Sequence, residues 1–180
     1  MKFIETAIAG AWIVEIDPHQ DERGFFARTW CADDFAQVGL ATELAQCSIS
    51  FNPLLGTLRG LHDQGEPHAE SKLIRCTRGA IFDVGVDLRP DSSTYLRHVA
   101  VELDWRSRNG LFLPAGIAHG FLTLRSDTEV FYQISTRYVP EAQRGFRWND
   151  PAFSIPWPAT PILMSERDRS LPDYRPGPLG

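Results

Sequence analysis

Two of the five histidines stand where a side chain can do chemistry. His62 lies in the run 58–64 and His119 in the run 114–121, and each is near a glycine at the end of an apolar, strand-like segment. Glycine in such a segment lets the backbone approach a ligand closely. An imidazole there can serve as a general acid, a general base or a metal ligand. The plainer interpretation of either residue is a histidine with a purely structural place in the core or on the surface.

The residues around these histidines disfavour a metal site. The Pro-x-Gly-x-x-His run that ends at His119 resembles the second metal-binding motif of cupins, which are small jelly-roll proteins. The first cupin motif supplies a His-x-His pair and a Glu, whereas the matching place here reads His-Asp-Gln, starting at His62. Two isolated histidines without a third ligand make a poor zinc or iron site. We therefore expect no metal, and a metal-binding cupin is kept as an alternative.

Short strands must position these side chains, because apolar residues recur with a period of two along much of the chain. Residues 81–88 and 128–136 alternate most clearly, and the second run places Tyr132 on an apolar face between Val130 and Ile134. Proline, glycine, asparagine and aspartate turn signals separate such runs. Further strands are predicted at 7–14, 25–30, 45–50, 72–76, 99–103, 110–113 and 120–124.

Helices are expected to be few and short. Asp33 is placed to cap a helix over 35–38 that ends at Gly39, and another helical turn is expected near Asp168. Many short strands, almost no helix and no internal repeat indicate an all-β fold, with a jelly-roll β-sandwich or barrel as the first choice. The length of 180 residues fits a single domain, 1–180, in which residues 172–180 form a C-terminal tail.

Composition narrows the class of protein further. The 18 basic and 23 acidic residues give a net charge of −5, which argues against a nucleic-acid or acidic-membrane binder. No apolar stretch reaches the roughly 20 residues that a membrane span needs. Cys31, Cys47 and Cys76 are far apart and form no CxxC pair. We therefore expect free thiols in a reducing compartment, the cytoplasm.

Several blocks in a fixed order carry a resemblance to a known family. They read Asp-Glu-Arg-Gly-Phe-Phe at 21–26, Leu-Arg-Gly-Leu-His at 58–62, Lys-Leu-Ile-Arg-Cys at 72–76, Trp-Asn-Asp-Pro at 148–151 and Ser-Glu-Arg-Asp at 165–168, with further matches at 82–84, 86–89 and 114–121. From about Asp21 to Pro172 the chain resembles the dTDP-4-dehydrorhamnose 3,5-epimerases. These are metal-free, cupin-type jelly rolls that act on nucleotide-linked 4-keto-6-deoxy sugars. The resemblance implies an isomerase without a cofactor, in dTDP-rhamnose biosynthesis, and a homodimer in which one chain's N-terminal region completes the neighbour's site.

The resemblance also implies four catalytic residues. A ketone at C4 acidifies the protons on C3 and C5, so epimerisation needs a base on one face of the ring and an acid on the other. The implied base is His62 with Asp168 as its carboxylate partner, and the implied acid is Tyr132. Lys72 would stabilise the enolate oxygen. Taken singly, Tyr132 reads as a core tyrosine, Lys72 as a solvated lysine and Asp168 as a helix cap or surface charge.

The substrate contacts are implied in the same way. Arg23, Arg59 and Arg167 would lie near the diphosphate, because a planar guanidinium suits phosphate oxygens. Phe26 would stack on the base. The remaining substrate-binding residues would be Arg28, Gln46, Ser48, Ser50, His119, Tyr138 and Gln143. Simple alternation places Arg59 and His62 on opposite strand faces, so both reach one site only if the strand bulges, for example at Gly60, or if the site spans two chains.

The chain departs from the family pattern mainly in binding residues. Family members usually have Glu, Asn, an aromatic residue, Glu and Lys where this chain has Arg28, Ser48, Asp63, Gln143 and Arg167. The acid and base residues are unchanged. We therefore hypothesise that the proton-transfer chemistry is kept while the nucleotide or the 4-keto sugar differs.

Two further alternatives stay open beside the metal cupin. One is an epimerase that inverts a single centre, C3 or C5, or a keto-sugar isomerase. The other is a non-catalytic sugar-binding cupin. The set of His62, Tyr132 and Asp168 argues against a pure binder, which needs neither an acid nor a base.

Overall fold

The computed structural model describes residues 1–175 of the chain. Its helices are α1 (Ala32–Gln37) and α2 (Glu166–Arg169), with a 3₁₀ turn at Pro140–Ala142. Its strands are β1 (Lys2–Glu5), β2 (Trp12–Glu15), β3 (His19–Asp21), β4 (Gly24–Phe26), β5 (Gln46–Asn52), β6 (Leu58–Gln64), β7 (Lys72–Arg78), β8 (Ala80–Asp87), β9 (His98–Asp104), β10 (Gly110–Leu113), β11 (Ile117–Thr123), β12 (Thr128–Ile134) and β13 (Gln143–Gly145).

The strands form two antiparallel sheets and a separate hairpin. One sheet has the order β1-β2-β10-β7-β12-β5, the other has the order β13-β6-β11-β8-β9, and β3 pairs with β4. Strands far apart in sequence are neighbours in both sheets, because the chain crosses repeatedly from one sheet to the other. This arrangement confirms the predicted all-β, jelly-roll β-sandwich with a few short helices.

Two apolar layers hold the sheets in place. Between the sheets, residues such as Ile74, Leu111 and Phe121 are fully buried in the main core. A second layer covers the other face of β8, where Val84 packs in one cluster with Phe153. The alternation seen in 81–88 is therefore real, but its apolar face packs on the C-terminal segment. The polar positions of β8 face the interior of the sandwich.

Two of the predicted strands are wrong in extent. Residues 7–11 form a turn, in which the Thr6 hydroxyl accepts the Ile8 N–H at 3.1 Å and donates to the Ala11 carbonyl at 2.9 Å. The strand begins only at Trp12. The strand predicted at 25–30 ends at Phe26. The turn at 7–11 buries Ile8 and Ala11, and an apolar run too short to show a period cannot be distinguished from such a turn. In 25–30 no residue is buried, so that run has no core-facing side to extend the strand.

The short helices are found where they were expected, with one difference in capping. The N-cap of α1 is Cys31, and Asp33 lies in the first turn, where its charge favours the helix N-terminus. Gly39 follows the helix with φ +74°, as its predicted terminating role requires. In α2 the Ser165 hydroxyl accepts the Asp168 N–H at 3.0 Å, which places Asp168 inside the expected helical turn.

The C-terminal segment packs on the body of the domain as far as it is described. Residues 172–175 of the expected tail have no regular secondary structure, yet the Tyr174 ring contacts Phe146 and Phe153. The rest of that tail, 176–180, lies outside the described residues. In the described range no helix combines the length and the apolar character needed to cross a membrane.

Candidate active site

A cavity of about 690 Å³ opens between the two sheets. Strands β5, β7 and β12 line one wall, strands β6, β11 and β13 line the other, and α2 closes one side. Its lining includes all four of the predicted catalytic residues, His62, Lys72, Tyr132 and Asp168. It also includes most of the predicted binding residues, namely Gln46, Ser48, Ser50, Arg59, His119, Tyr138, Gln143 and Arg167.

The half-buried His62 and the buried Asp168 form an imidazole–carboxylate pair. His62 Nε2 lies 2.7 Å from Asp168 Oδ1, and Asp168 Oδ2 is 3.4 Å from the Gly60 N–H. Burial raises the pKa of Asp168, but the hydrogen bond and charge of His62 outweigh burial, so the pKa lies below its usual value. The carboxylate is therefore ionised at neutral pH. It accepts the Nε2 proton and leaves Nδ1 as the basic nitrogen.

A bulge in β6 brings Arg59 to the same cavity as His62. His62 pairs with His119 of β11, but Arg59 pairs with Phe121, so β6 contains one residue more than β11 between these pairs. Gly60 adopts φ +116° there, a conformation that glycine tolerates. The bulge predicted at Gly60 is confirmed, and it lets both side chains reach one site within a single chain.

Tyr132 lies on the wall opposite His62. It stands on β12 of the six-stranded sheet, and its ring meets the edge of His119 at a centroid distance of 5.8 Å. Burial raises the pKa of Tyr132 far above its usual value, and the nearby charge of Asp83 raises it further. The phenol therefore stays protonated. The predicted base and the predicted acid occupy facing walls, as proton transfer on the two faces of a sugar ring requires.

Lys72 and His119 each have a carboxylate partner that the sequence analysis did not single out. Lys72 Nζ lies 2.8 Å from Glu70 Oε1, and His119 Nε2 lies 2.7 Å from Asp83 Oδ1. Burial raises the pKa of Asp83, whereas the charge of His119 lowers it. Both partners had a signal in the sequence. Glu70 precedes Lys72 by two residues, a spacing that shares one face of an extended chain, and Asp83 interrupts an apolar strand.

Two guanidinium groups face the mouth of the cavity. Arg59 Nε donates to the Oδ1 of the fully buried Asn52 at 2.7 Å, a partner that the sequence analysis also missed. Arg167 donates to Gln143 Oε1 at 2.6 Å, and the Tyr138 hydroxyl donates to the same oxygen at 2.9 Å. Within residues 1–175, neither guanidinium has a carboxylate within salt-bridge distance. These cations are therefore available to an anionic ligand.

Three predicted substrate contacts lie away from this cavity. Arg23 pairs with Asp21 in the exposed β3–β4 hairpin at 2.5 Å. Phe26 is 78% exposed. Phe26 and Arg28 line a separate pocket of about 250 Å³. A single chain does not bring these three side chains to His62.

The two site histidines do not share a set of metal ligands. His62 and His119 are directly opposite each other on β6 and β11, but each is hydrogen-bonded to its own aspartate. Within residues 1–175, no group of three histidine, cysteine, aspartate or glutamate side chains is arranged to hold a metal ion.

Comparison with known proteins agrees with this geometry. The profile of the dTDP-4-dehydrorhamnose 3,5-epimerase family matches residues 5–175. The dTDP-4-dehydrorhamnose 3,5-epimerase of Sinorhizobium fredii is 42% identical over 177 residues, which are 96% of this chain and 89% of that protein. The crystal structure of the Bacillus anthracis enzyme with TDP and PPi bound has a TM-score of 0.92 and 38% identity, covering 96% of this chain and 99% of that one.

A relative with a different activity has the same fold. A 3'-monoepimerase from Streptomyces bikiniensis, in complex with dTDP-quinovose, has a TM-score of 0.87 and 32% identity, covering 94% of this chain and 86% of that one. The similarity to all these proteins extends over nearly the whole chain, and the His62–Asp168 pair and the facing Tyr132 occupy one cavity of the shared fold. The chain therefore belongs to the dTDP-4-dehydrorhamnose 3,5-epimerase family.

Proposed function

We propose that this epimerase acts on a nucleotide-linked 4-keto-6-deoxy sugar and inverts C3, C5 or both through an enolate. The observation that carries the proposal is the pairing of a base and an acid across one cavity. His62, held by Asp168 at 2.7 Å, faces the protonated phenol of Tyr132 on the opposite sheet. A site built only for binding needs neither group.

Proton transfer in this site balances without a redox partner. His62 Nδ1 takes a proton from a carbon next to the C4 ketone, and the electron pair of the C–H bond moves to form an enolate. The Lys72 ammonium stabilises the negative charge on the C4 oxygen, while Asp168 stabilises the imidazolium. Tyr132 then donates its proton to the other face of the same carbon. Solvent restores the two side chains to their starting states, so no cofactor is required.

The substrate's nucleotide would lie toward the mouth of the cavity. Arg59 and Arg167 supply fork-shaped donors for a diphosphate there. The Bacillus anthracis relative binds TDP, and the Streptomyces bikiniensis relative binds dTDP-quinovose. Arg28 carries a positive charge where the family usually has a carboxylate, so we propose that a base other than thymine is the alternative to test.

We also propose that a second copy of the chain completes the site. The β3–β4 hairpin presents Phe25 and Phe26 to solvent, at 46% and 78% exposure. Large apolar side chains on an exposed hairpin are typical of a protein interface. The edge strand β5 beside the cavity exposes Ile49 and Phe51 as well. A homodimer that places the hairpin over its neighbour's cavity would bring Arg23 and Phe26 to the nucleotide.

The decisive experiment follows hydrogen exchange. The purified protein is incubated with dTDP-4-keto-6-deoxyglucose in D₂O, and the C3 and C5 protons are observed by NMR. Exchange at both carbons that is lost in His62→Ala supports a double epimerase. Exchange at one carbon supports the single-centre alternative, the activity named for the Streptomyces bikiniensis relative. The same assay is repeated with the CDP- and GDP-linked 4-keto sugars. Absence of exchange with all three nucleotide sugars would overturn the proposal.

A further inference from the structure

A buried carboxylate without a role in this scheme lies in the wall of the cavity. The Glu70 side chain is 8% exposed, and its Oε1 lies 2.8 Å from Lys72 Nζ. Its other oxygen, Oε2, accepts a hydrogen bond of 3.1 Å from the Gln64 side chain. Both oxygens have a partner, so the carboxylate cannot turn away from Lys72 without losing a buried hydrogen bond.

Gln64 can fix this carboxylate because hydrogen bonds fix its own amide group, at the oxygen and at the nitrogen. Its Oε1 accepts the Val139 N–H at 2.6 Å, and the two hydrogens of its Nε2 are shared among Glu70 and the carbonyls of His68 and Arg137, at 3.1 and 3.2 Å for the carbonyls. Gln64 belongs to β6, two residues after His62. The strand that carries the base therefore also anchors Glu70.

The contacts of Lys72 leave one donor for a ligand. An ammonium carries three N–H donors. One faces Glu70, and another reaches the backbone carbonyl of His62 at 3.3 Å. Since Lys72 lines the cavity, its third donor is available to an oxygen bound there.

The other titratable groups near Lys72 have their own partners or face the cavity. Asp83, whose pKa burial raises against the opposing charges of His119 and Lys72, is hydrogen-bonded to His119. The His62 imidazole is bonded to Asp168, and Tyr132 faces the cavity from the strand next to β7. Within residues 1–175, Glu70 is the carboxylate in direct contact with Lys72.

We propose that Glu70 is a positioning residue for the reaction, which fixes the Lys72 ammonium so that its remaining donor points at the C4 oxygen of the sugar. The inference rests on the proposed function. A donor held in place before the reaction has no reorganisation to undergo as charge develops on the enolate. Lys72 would otherwise be a long side chain with several rotamers in a cavity of about 690 Å³. Glu70 acts on the transition state through Lys72 and does not touch the substrate.

The test compares Glu70→Gln with Glu102→Gln, which makes the same change at an exposed position of β9 outside the cavity lining. We expect Glu70→Gln to lower kcat about tenfold or more with KM within about twofold of the wild type, because only the transition-state contact is impaired. Glu102→Gln should behave as the wild type. Glu70→Gln is also made in a Lys72→Met background, where the residual rate is measured by deuterium exchange over hours. There it should cause no further loss of kcat.

Two results would overturn the inference. They are an unchanged kcat in Glu70→Gln, whether or not KM changes, and an equal loss of kcat in the Lys72→Met background. The wild type is assayed in the same series on dTDP, CDP and GDP 4-keto sugars. Inactivity of the wild type on all three overturns the proposed function and this inference together. An active wild type matched by Glu70→Gln overturns this inference alone.

Discussion

Gly60 lies so close to Gly120 on the neighbouring strand that a Cβ on Gly60 would come 2.6 Å from the Gly120 Cα and 2.7 Å from the His119 carbonyl oxygen. That approach, together with the positive φ of Gly60, makes the bulge in β6 possible. The bulge in turn places Arg59 and His62 in the same cavity. The geometry of the candidate site therefore depends on the absence of one side chain.

Gly60→Ala should destabilise the protein by at least about 2 kcal/mol and remove most of its activity, because the new methyl group meets backbone atoms that cannot move independently. Gly39→Ala is the matched control. Gly39 also has a positive φ, +74°, but its Cβ would meet no atom within 4 Å. We expect a cost of about 1 kcal/mol and normal activity for the control. Urea unfolding and exchange rates of the two variants check the prediction, and equal effects would contradict it.

Asp168→Asn should lower kcat by about 10²- to 10⁴-fold at neutral pH, since the variant loses the charge that stabilises the His62 imidazolium and can select the wrong tautomer. The native pKa of Asp168 is lowered, so the unfolded chain binds this proton more readily than the native protein. Its contribution to stability is then present above the unfolded pKa, about 4, and is lost as pH falls through the native pKa. Urea titrations between neutral and acidic pH should show a shallower decline in Asp168→Asn. An identical decline in both proteins would show that the pair contributes no such linkage.

Tyr132→Phe should separate exchange from inversion. His62 and Asp168 remain, so a proton can still leave and return on the face of His62, and deuterium should enter the substrate without net epimerisation. Loss of the phenol removes the proposed proton donor on the opposite face. NMR of the sugar in D₂O distinguishes the substrate labelled with retention from the inverted product. Inversion at a normal rate in the variant would remove Tyr132 from the role of acid.

The sequence allowed prediction of those features that depend on the local alternation of apolar residues or on the order of the family's sequence blocks. Alternation predicted β8 and β12, and the ordered blocks brought His62, Lys72, Tyr132 and Asp168 into one cavity. The partners of these residues were harder to find, because contacts such as Arg59 with Asn52 are set by how strands cross between the sheets. The hairpin contacts could not be placed from one chain at all. Their position relative to a site depends on whether the hairpin contacts a second chain.

A mixture of two inactive variants tests whether the β3–β4 hairpin of a second chain completes the site. His62→Ala removes the proposed base, and the double variant Arg23→Ala, Phe26→Ala removes the proposed hairpin contacts. If each site combines one chain's His62 with its neighbour's hairpin, a mixed dimer contains one site with both parts intact and one with neither. Half of randomly formed dimers are mixed, and half of their sites work, so activity should return to about a quarter of the wild type. If the hairpin serves its own chain, every mixed dimer has two damaged sites and no activity returns. The mixture must be refolded together or co-expressed so that subunits exchange, and exchange rates measured before and after mixing decide between the two arrangements.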